Sequence, residues 1–231
     1  MHHGALYTKT IMCFANSRKV DGRSVAGKEL FDNGIAGWIR PVSARPGGDL
    51  LDEDRRLQDG KDPSPLDVIS IAMIEARPSG YHVENHLIDD TRRWVKERRA
   101  SWSDLQAALD PVAGPLWDNS SSSYNGIHDR IEETAARSLG GSLRLIKVND
   151  FKIVVGVEGA EIGRAKQKVR GHFTFNDMPY LLAVTDPFIE GKYLGGSDGE
   201  FRIGSAALCI SLREPYRGYA YKLIAGIIPE I

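Results

Sequence analysis

The sequence predicts an all-β protein with minor helix, arranged as two small barrels in tandem. Three observations predict it. Strand chemistry dominates both halves of the chain. Strict two-residue alternation appears in individual segments. A long Pro-, Gly- and Ser-rich stretch separates the two strand-rich regions. Several short strands at close spacing suit barrels better than a parallel α/β sheet.

In the first half, "ALYTKTIMCFA", "GWIRPVS" and "LDVISIAMIEA" are rich in β-branched and aromatic residues and bounded by Gly, Pro and Asp. The segment 91–110, "TRRWVKERRASWSDLQAALD", carries the best helix signal, with Asp89 or Asp90 as a cap and Ser103 starting a shorter second turn. The segment 129–139, "DRIEETAARSL", is a second helix candidate. Between them "DPVAGPLWDNSSSSYNG" reads as a linker or long loop. The expected division is therefore 1–115, a barrel with a helical insert near 91–110; 116–138, the linker or loop; and 139–231, a second barrel.

The second half supplies "LRLIKV", "FKIVVGVE", "KVRGHFTF", "MPYLLAVTD", "ALCISL" and "YAYKLIAGII". In "KVRGHFTF" the alternation sends Val169, Phe173 and Phe175 inward, and Lys168, Arg170, His172 and Thr174 outward. In the last strand Tyr219 and Tyr221 share one face and are expected to be core, opposite Ala220, Lys222 and Ile224.

Composition bounds the function. With 42% apolar and 26% charged residues the chain reads as an ordinary globular protein. Apolar runs such as "LLAV" and "LIAGII" fall far below the roughly 20 residues that span a bilayer. The start lacks the pattern of a secretory leader, and no role is attached to His2 or His3. Cys13 and Cys209 sit singly in apolar stretches, as core thiols of a reducing compartment do, so a cytoplasmic location is expected. A net charge of -1 excludes a globally basic nucleic-acid coat, yet 91–99 and 164–172 are locally basic.

Four segments together, "CFANSRKVDGRSVAGKEL", "GWIRPVS", "PLDVISIAMIEARPSGYHVENHLID" and "LCISLREPYRGYAYKLIAGII", resemble the bacterial family of dual OB domain-containing proteins. Their order and spacing carry the likeness across nearly the whole chain. The resemblance implies two tandem OB-like β-barrels and a nucleic-acid or nucleotide-binding role. OB barrels bind across one strand face and the loops at its rim.

Candidate binding residues follow from that expectation. In "FANSRKVDGR", Asn16, Ser17, Arg18, Lys19 and Arg23 gather amide, hydroxyl and cationic donors suited to phosphate and sugar oxygens, or else a solvated turn. Trp38 and Arg40 lie two apart on one strand, as a stacking platform or as core with a snorkelling cation. Tyr81, His82 and Asn85 could reach a base edge. His82, Glu84 and His86 tempt a metal reading, but on a strand they spread over too long a baseline for one ion. Lys168, Arg170 and His172 form an outward cationic ridge, and Arg217 adds a cation near the last strand.

No phosphate-cradling Gly loop, nucleophile elbow or Cys/His pairing is present, so neither catalytic residues, metal nor cofactor are expected. The reading is a non-catalytic module for nucleic acid or nucleotides, single-stranded DNA or RNA before duplex, with no membrane partner. Two alternatives stand beside it. One is a metal-dependent nuclease or nucleotide hydrolase using the "HVENHLID" carboxylates. The other is a protein-interaction adaptor docking through 91–99.

Overall fold

The structure, a computed structural model, describes residues 6–32 and 34–230. His2 and His3 lie outside the described residues. About 53% of the chain is strand and 12% helix, arranged as two six-stranded sheets. The chain divides into two compact units, Met1–Leu109 with Gly140–Ser142, and Asp110–Leu139 with Leu143–Ile231.

Unit 1 contains β1 (Tyr7–Arg18), β2 (Arg23–Phe31), β3 (Gly34–Val42), β4 (Asp67–Ala76), β5 (Asn85–Ile88) and β6 (Val95–Arg99). Hydrogen bonds close a ring β1-β2-β3-β5-β4 and back to β1, antiparallel everywhere except between β3 and β5. Unit 2 contains β7 (Arg130–Glu132), β8 (Leu143–Glu158), β9 (Lys166–Phe175), β10 (Met178–Val184), β11 (Gly199–Leu212) and β12 (Tyr219–Pro229). Its ring runs β8-β9-β10-β12-β11 and back to β8, with β10 and β12 as its parallel pair. Both units thus follow one circuit, and both are five-stranded barrels of the OB type. β6 and β7 are additions, paired to β4 and β12.

Alternation places the cores. In β9, Val169, Gly171 and Phe173 are buried while Lys168 and Thr174 are exposed, with Phe175 partly buried against the same core. The first core gathers Ile11, Val25, Ile69, Ile71 and Trp94; the second gathers Phe151, Phe173, Tyr180, Leu208 and Ile224. β12 corrects the expected phase. Ala220, Lys222 and Ile224 are buried, and Tyr219 and Tyr221 are only half-buried. A register shift opposite Cys209 and Ile210 leaves Ala225 without a ladder partner. That extra residue reverses the alternation, so Ile227 joins Ile224 in one core.

The segment 91–110 also departs from expectation. It forms β6 and then a short helix, α1 (Trp102–Ala107), rather than one long helix. Trp94 is fully buried, and the carboxylate of buried Asp67 draws Lys96 (2.6 Å) and Arg99 (3.4 Å) across from the neighbouring strand. Packing therefore overrides helical propensity. The cap is Ser101, not Ser103: its hydroxyl accepts from Asp104 N while the Asp104 carboxylate accepts from Ser101 N. The segment 129–139 likewise becomes β7 followed by a single turn, α2 (Glu133–Ala136). Residues 116–138 pack within unit 2, with Leu116 and Asp129 buried.

Gly27 marks the tightest approach in the first barrel. A Cβ there would lie 2.3 Å from the Met12 carbonyl oxygen, which is backbone and has little room to yield. Gly27→Ala should destabilise unit 1 by about 3 kcal/mol, at the upper end for overpacking. Urea unfolding measures it, and an unchanged midpoint would show that the strands are less closely set.

Candidate nucleic-acid interface

The β1–β2 hairpin uses many of its donors internally. Lys19 Nζ donates to Gly47 O at 2.6 Å and pairs with Asp49 at 2.9 Å. Asp21 N donates to Asp49 Oδ2, and the main chains of Arg23 and Leu50 exchange two hydrogen bonds at 2.9 and 3.0 Å. Gly22 sits so close to this segment that a Cβ would lie 2.6 Å from Leu50 O. Asn16 Nδ2 donates to Pro63 O, and buried Ser17 donates to Ser24 O. The hairpin is thereby clasped to the turn at 46–50, and of the five singled-out residues only Arg18 is exposed.

Trp38 and Arg40 diverge in role. Trp38 is half-buried, edge-on to Phe14, with Lys28 Nζ 5.4 Å from its ring centre. Arg40 is buried and reaches Glu84 Oε1 at 3.2 Å, Ser142 Oγ at 2.9 Å and the ring of His82. Ser142 donates to Glu84 and lies 2.9 Å from His82 Nδ1. Tyr81, also buried, rests its ring 4.6 Å from that of His82. Asn85 is half-buried opposite Arg40 in the parallel register. His86 turns elsewhere, to Tyr7 Oη at 2.7 Å, and desolvation holds its pKa below the usual value. Among the described residues no group of three His, Cys, Asp or Glu side chains is placed to hold a metal. Nothing in "GGSL" marks Ser142 in the sequence; only its folded position makes it part of the cluster.

The outward face of β9 is different. Arg170 is held by Glu158 through two bonds, at 2.6 and 3.1 Å, and His172 is half-buried opposite Lys152. Lys168 is exposed, as are Lys166 and Arg164 just before it. The side chains of these three have no ion pair or hydrogen bond among the described residues. On the 213–218 loop, Arg217 adopts a left-handed φ of 52° and lies 5.2 Å over the ring of Tyr216. Tyr216 is 51% exposed, and the Arg213 guanidinium also approaches its ring, at 6.0 Å. An exposed ring with guanidinium groups nearby can accept a stacked base.

Segment 91–99 is drawn into its own unit by the Asp67 pairs and by Arg98 with Asp104 at 3.4 Å. One further ionisable group is unusual. Lys222 is 1% exposed, and Nζ donates to Asp118 O at 2.5 Å and Asn119 Oδ1 at 2.8 Å. Burial lowers its pKa to about 7, against the opposing pull of Asp118 and then Asp129.

A family model described as a dual OB-containing domain matches residues 9–227, and the chain belongs to that family. Nothing matches among curated proteins or among solved structures. Among the described residues, no helix is long and apolar enough to cross a membrane.

Two outcomes follow from the buried cations. Arg40→Ala leaves Glu84 as a buried carboxylate without its cation and should cost about 3–5 kcal/mol; a thermal melt equal to that of the parent would contradict the cluster. For Lys222 the folded pKa lies below the unfolded one, so the unfolded chain binds more protons between about pH 7 and 10.5. Stability should therefore rise with pH across that window. Lys222→Met should lack the rise. Parallel stability-versus-pH curves for the two proteins would mean that Lys222 is not desolvated.

Proposed function

We propose that this dual OB-containing domain protein binds single-stranded nucleic acid through the outward face of β9 and the 213–218 loop in unit 2. The observation that carries the reading is the row Arg164, Lys166 and Lys168, exposed cations whose side chains have no partner among the described residues. Lys166 and Lys168 lie on one face, about 6.6 Å apart along the strand, so they can follow a phosphate backbone. Tyr216, flanked by Arg213 and Arg217, offers a surface for an unpaired base. Stacking on an aromatic ring is tolerant of sequence and is denied to paired bases, which favours single strands over duplex. The family supports a nucleic-acid or nucleotide-binding module at this coarser level.

The unit 1 candidates have smaller parts in this reading. Lys19 is neutralised by Asp49, and Arg40 and His82 are buried. The exposed row in unit 2 keeps its charge available to an anion.

Salt titration of an oligonucleotide complex tests this. The log–log slope should be near -0.7 per phosphate contacted on a single strand. Changing Lys166 and Lys168 together to Ala should make it shallower by about 1.4 and weaken binding at low salt. Changing Lys19 to Ala should leave the slope unaltered. Binding untouched by the double change, or no oligonucleotide affinity at low salt, would overturn the assignment.

A further inference from the structure

A second feature of unit 2 lies apart from the β9 face. Residues 110–117 leave regular structure and line an open cavity of about 280 Å³, with Pro111, Val112 and Pro115 as apolar walls and Asp110, Trp117 and Arg144 as its charged and aromatic lining. The Arg144 guanidinium sits 5.2 Å over the Trp117 ring. One of its amino groups donates to Leu143 O, and it has no carboxylate partner among the described residues.

The cavity is preformed, because the loop is pinned at three places. Asp110 and Leu145 exchange hydrogen bonds in both directions, Asp110 N to Leu145 O at 2.9 Å and Leu145 N to Asp110 Oδ2 at 2.7 Å. Asn176, in the tight β9–β10 turn, donates through Nδ2 to the carbonyls of Val112 and Gly114, each at 2.9 Å. On either side of Trp117, Leu116 N donates to the Tyr180 hydroxyl and Asp118 O accepts from Lys222. Trp117 itself has a φ of 63°, a left-handed conformation unfavourable for a bulky residue. The pinned neighbours hold it there, and the indole stays at the cavity with a cation above it.

We propose that this cavity is a binding site for a mononucleotide-like ligand, a single planar ring system carrying an anionic group. The indole and the proline edges provide flat apolar contact for a ring, and the guanidinium without a carboxylate partner favours a nearby phosphate. Its size decides the class. At about 280 Å³ the cavity lies just below the roughly 300–1,000 Å³ of most ligand clefts, so it suits at most one base with its attached sugar phosphate and not a strand. The site shares no residue with the proposed strand face, and either can hold without the other.

The test uses the full chain labelled at its indole nitrogens. The sequence has four Trp, so an indole NMR spectrum is simple, and Trp117→Phe identifies the Trp117 signal by its loss. AMP, GMP, CMP and UMP are titrated in turn, with ribose 5-phosphate and inorganic phosphate as anions that lack a base. At least one mononucleotide should shift the Trp117 signal saturably, and ribose 5-phosphate should bind roughly tenfold or more weakly for want of stacking. Arg144→Gln should weaken that mononucleotide about tenfold, while changing Lys166 and Lys168 to Ala should leave it within about twofold. If Trp117→Phe fails to fold, sequential assignment of the parent protein identifies the signal and Arg144→Gln remains the variant. Equal binding of ribose 5-phosphate, a Trp117 signal unmoved by every nucleotide, or full affinity in Arg144→Gln would each overturn the proposal.

Discussion

Each barrel closes through one short parallel contact, Arg40–Val42 beside Asn85–Leu87 in the first and Ala183–Val184 beside Leu223–Ile224 in the second. The other pairings around each ring are antiparallel. Without these few residues each ring would open and leave strand edges unpaired, a row of donors and acceptors prone to association. A buried cation sits at each closure: Arg40 heads the first parallel register, and Lys222 directly precedes the second. Each binds a segment outside the ring, Ser142 in one case and Asp118 with Asn119 in the other. Desolvating a cation is costly, and in both places several acceptors offset the cost. At both closures, then, irregular chain is tied to sheet.

The same economy governs where charge remains available. In unit 1, Lys19 is matched to the buried carboxylate of Asp49, and Lys96 and Arg99 share that of Asp67, so much of their field is offset. In unit 2, Glu158 engages Arg170 and leaves Lys166, its cross-strand neighbour, without that carboxylate. Two residues of like charge, two same-face positions apart along one strand, therefore differ in what they offer a phosphate. Partnering decides that difference, and residue type does not.

Irregular chain in unit 2 is also structured by the barrel. Tyr180 and Lys222 reach from β10 and β12 to residues 116–119, and Asp129 accepts two bonds from Ser123 within the long loop. A stretch whose Ser and Gly content marks a loop is consequently held in one conformation, including the unfavourable backbone of Trp117. Polar contacts from a rigid sheet can hold such a conformation because both flanking residues are pinned.

Local pattern by itself determined the all-β class, the two-part plan and the inward set of β9, since side-chain alternation is a property of neighbouring residues. The resemblance of four segments, carried by their order, supplied the OB type, which the matched family bears out. Tertiary structure decided the rest. Trp94 and Asp67 turned 95–99 into a strand despite its helical composition, and the extra residue in β12 moved Lys222 inside. It also sorted the candidate cations into clasped, buried and exposed sets, and joined Ser142 to Arg40 across 102 positions. Periodicity reports which way a side chain points within one element. Whether a charge meets a carboxylate, a carbonyl or water depends on chain that is distant in sequence, and only the closed barrel brings that chain alongside.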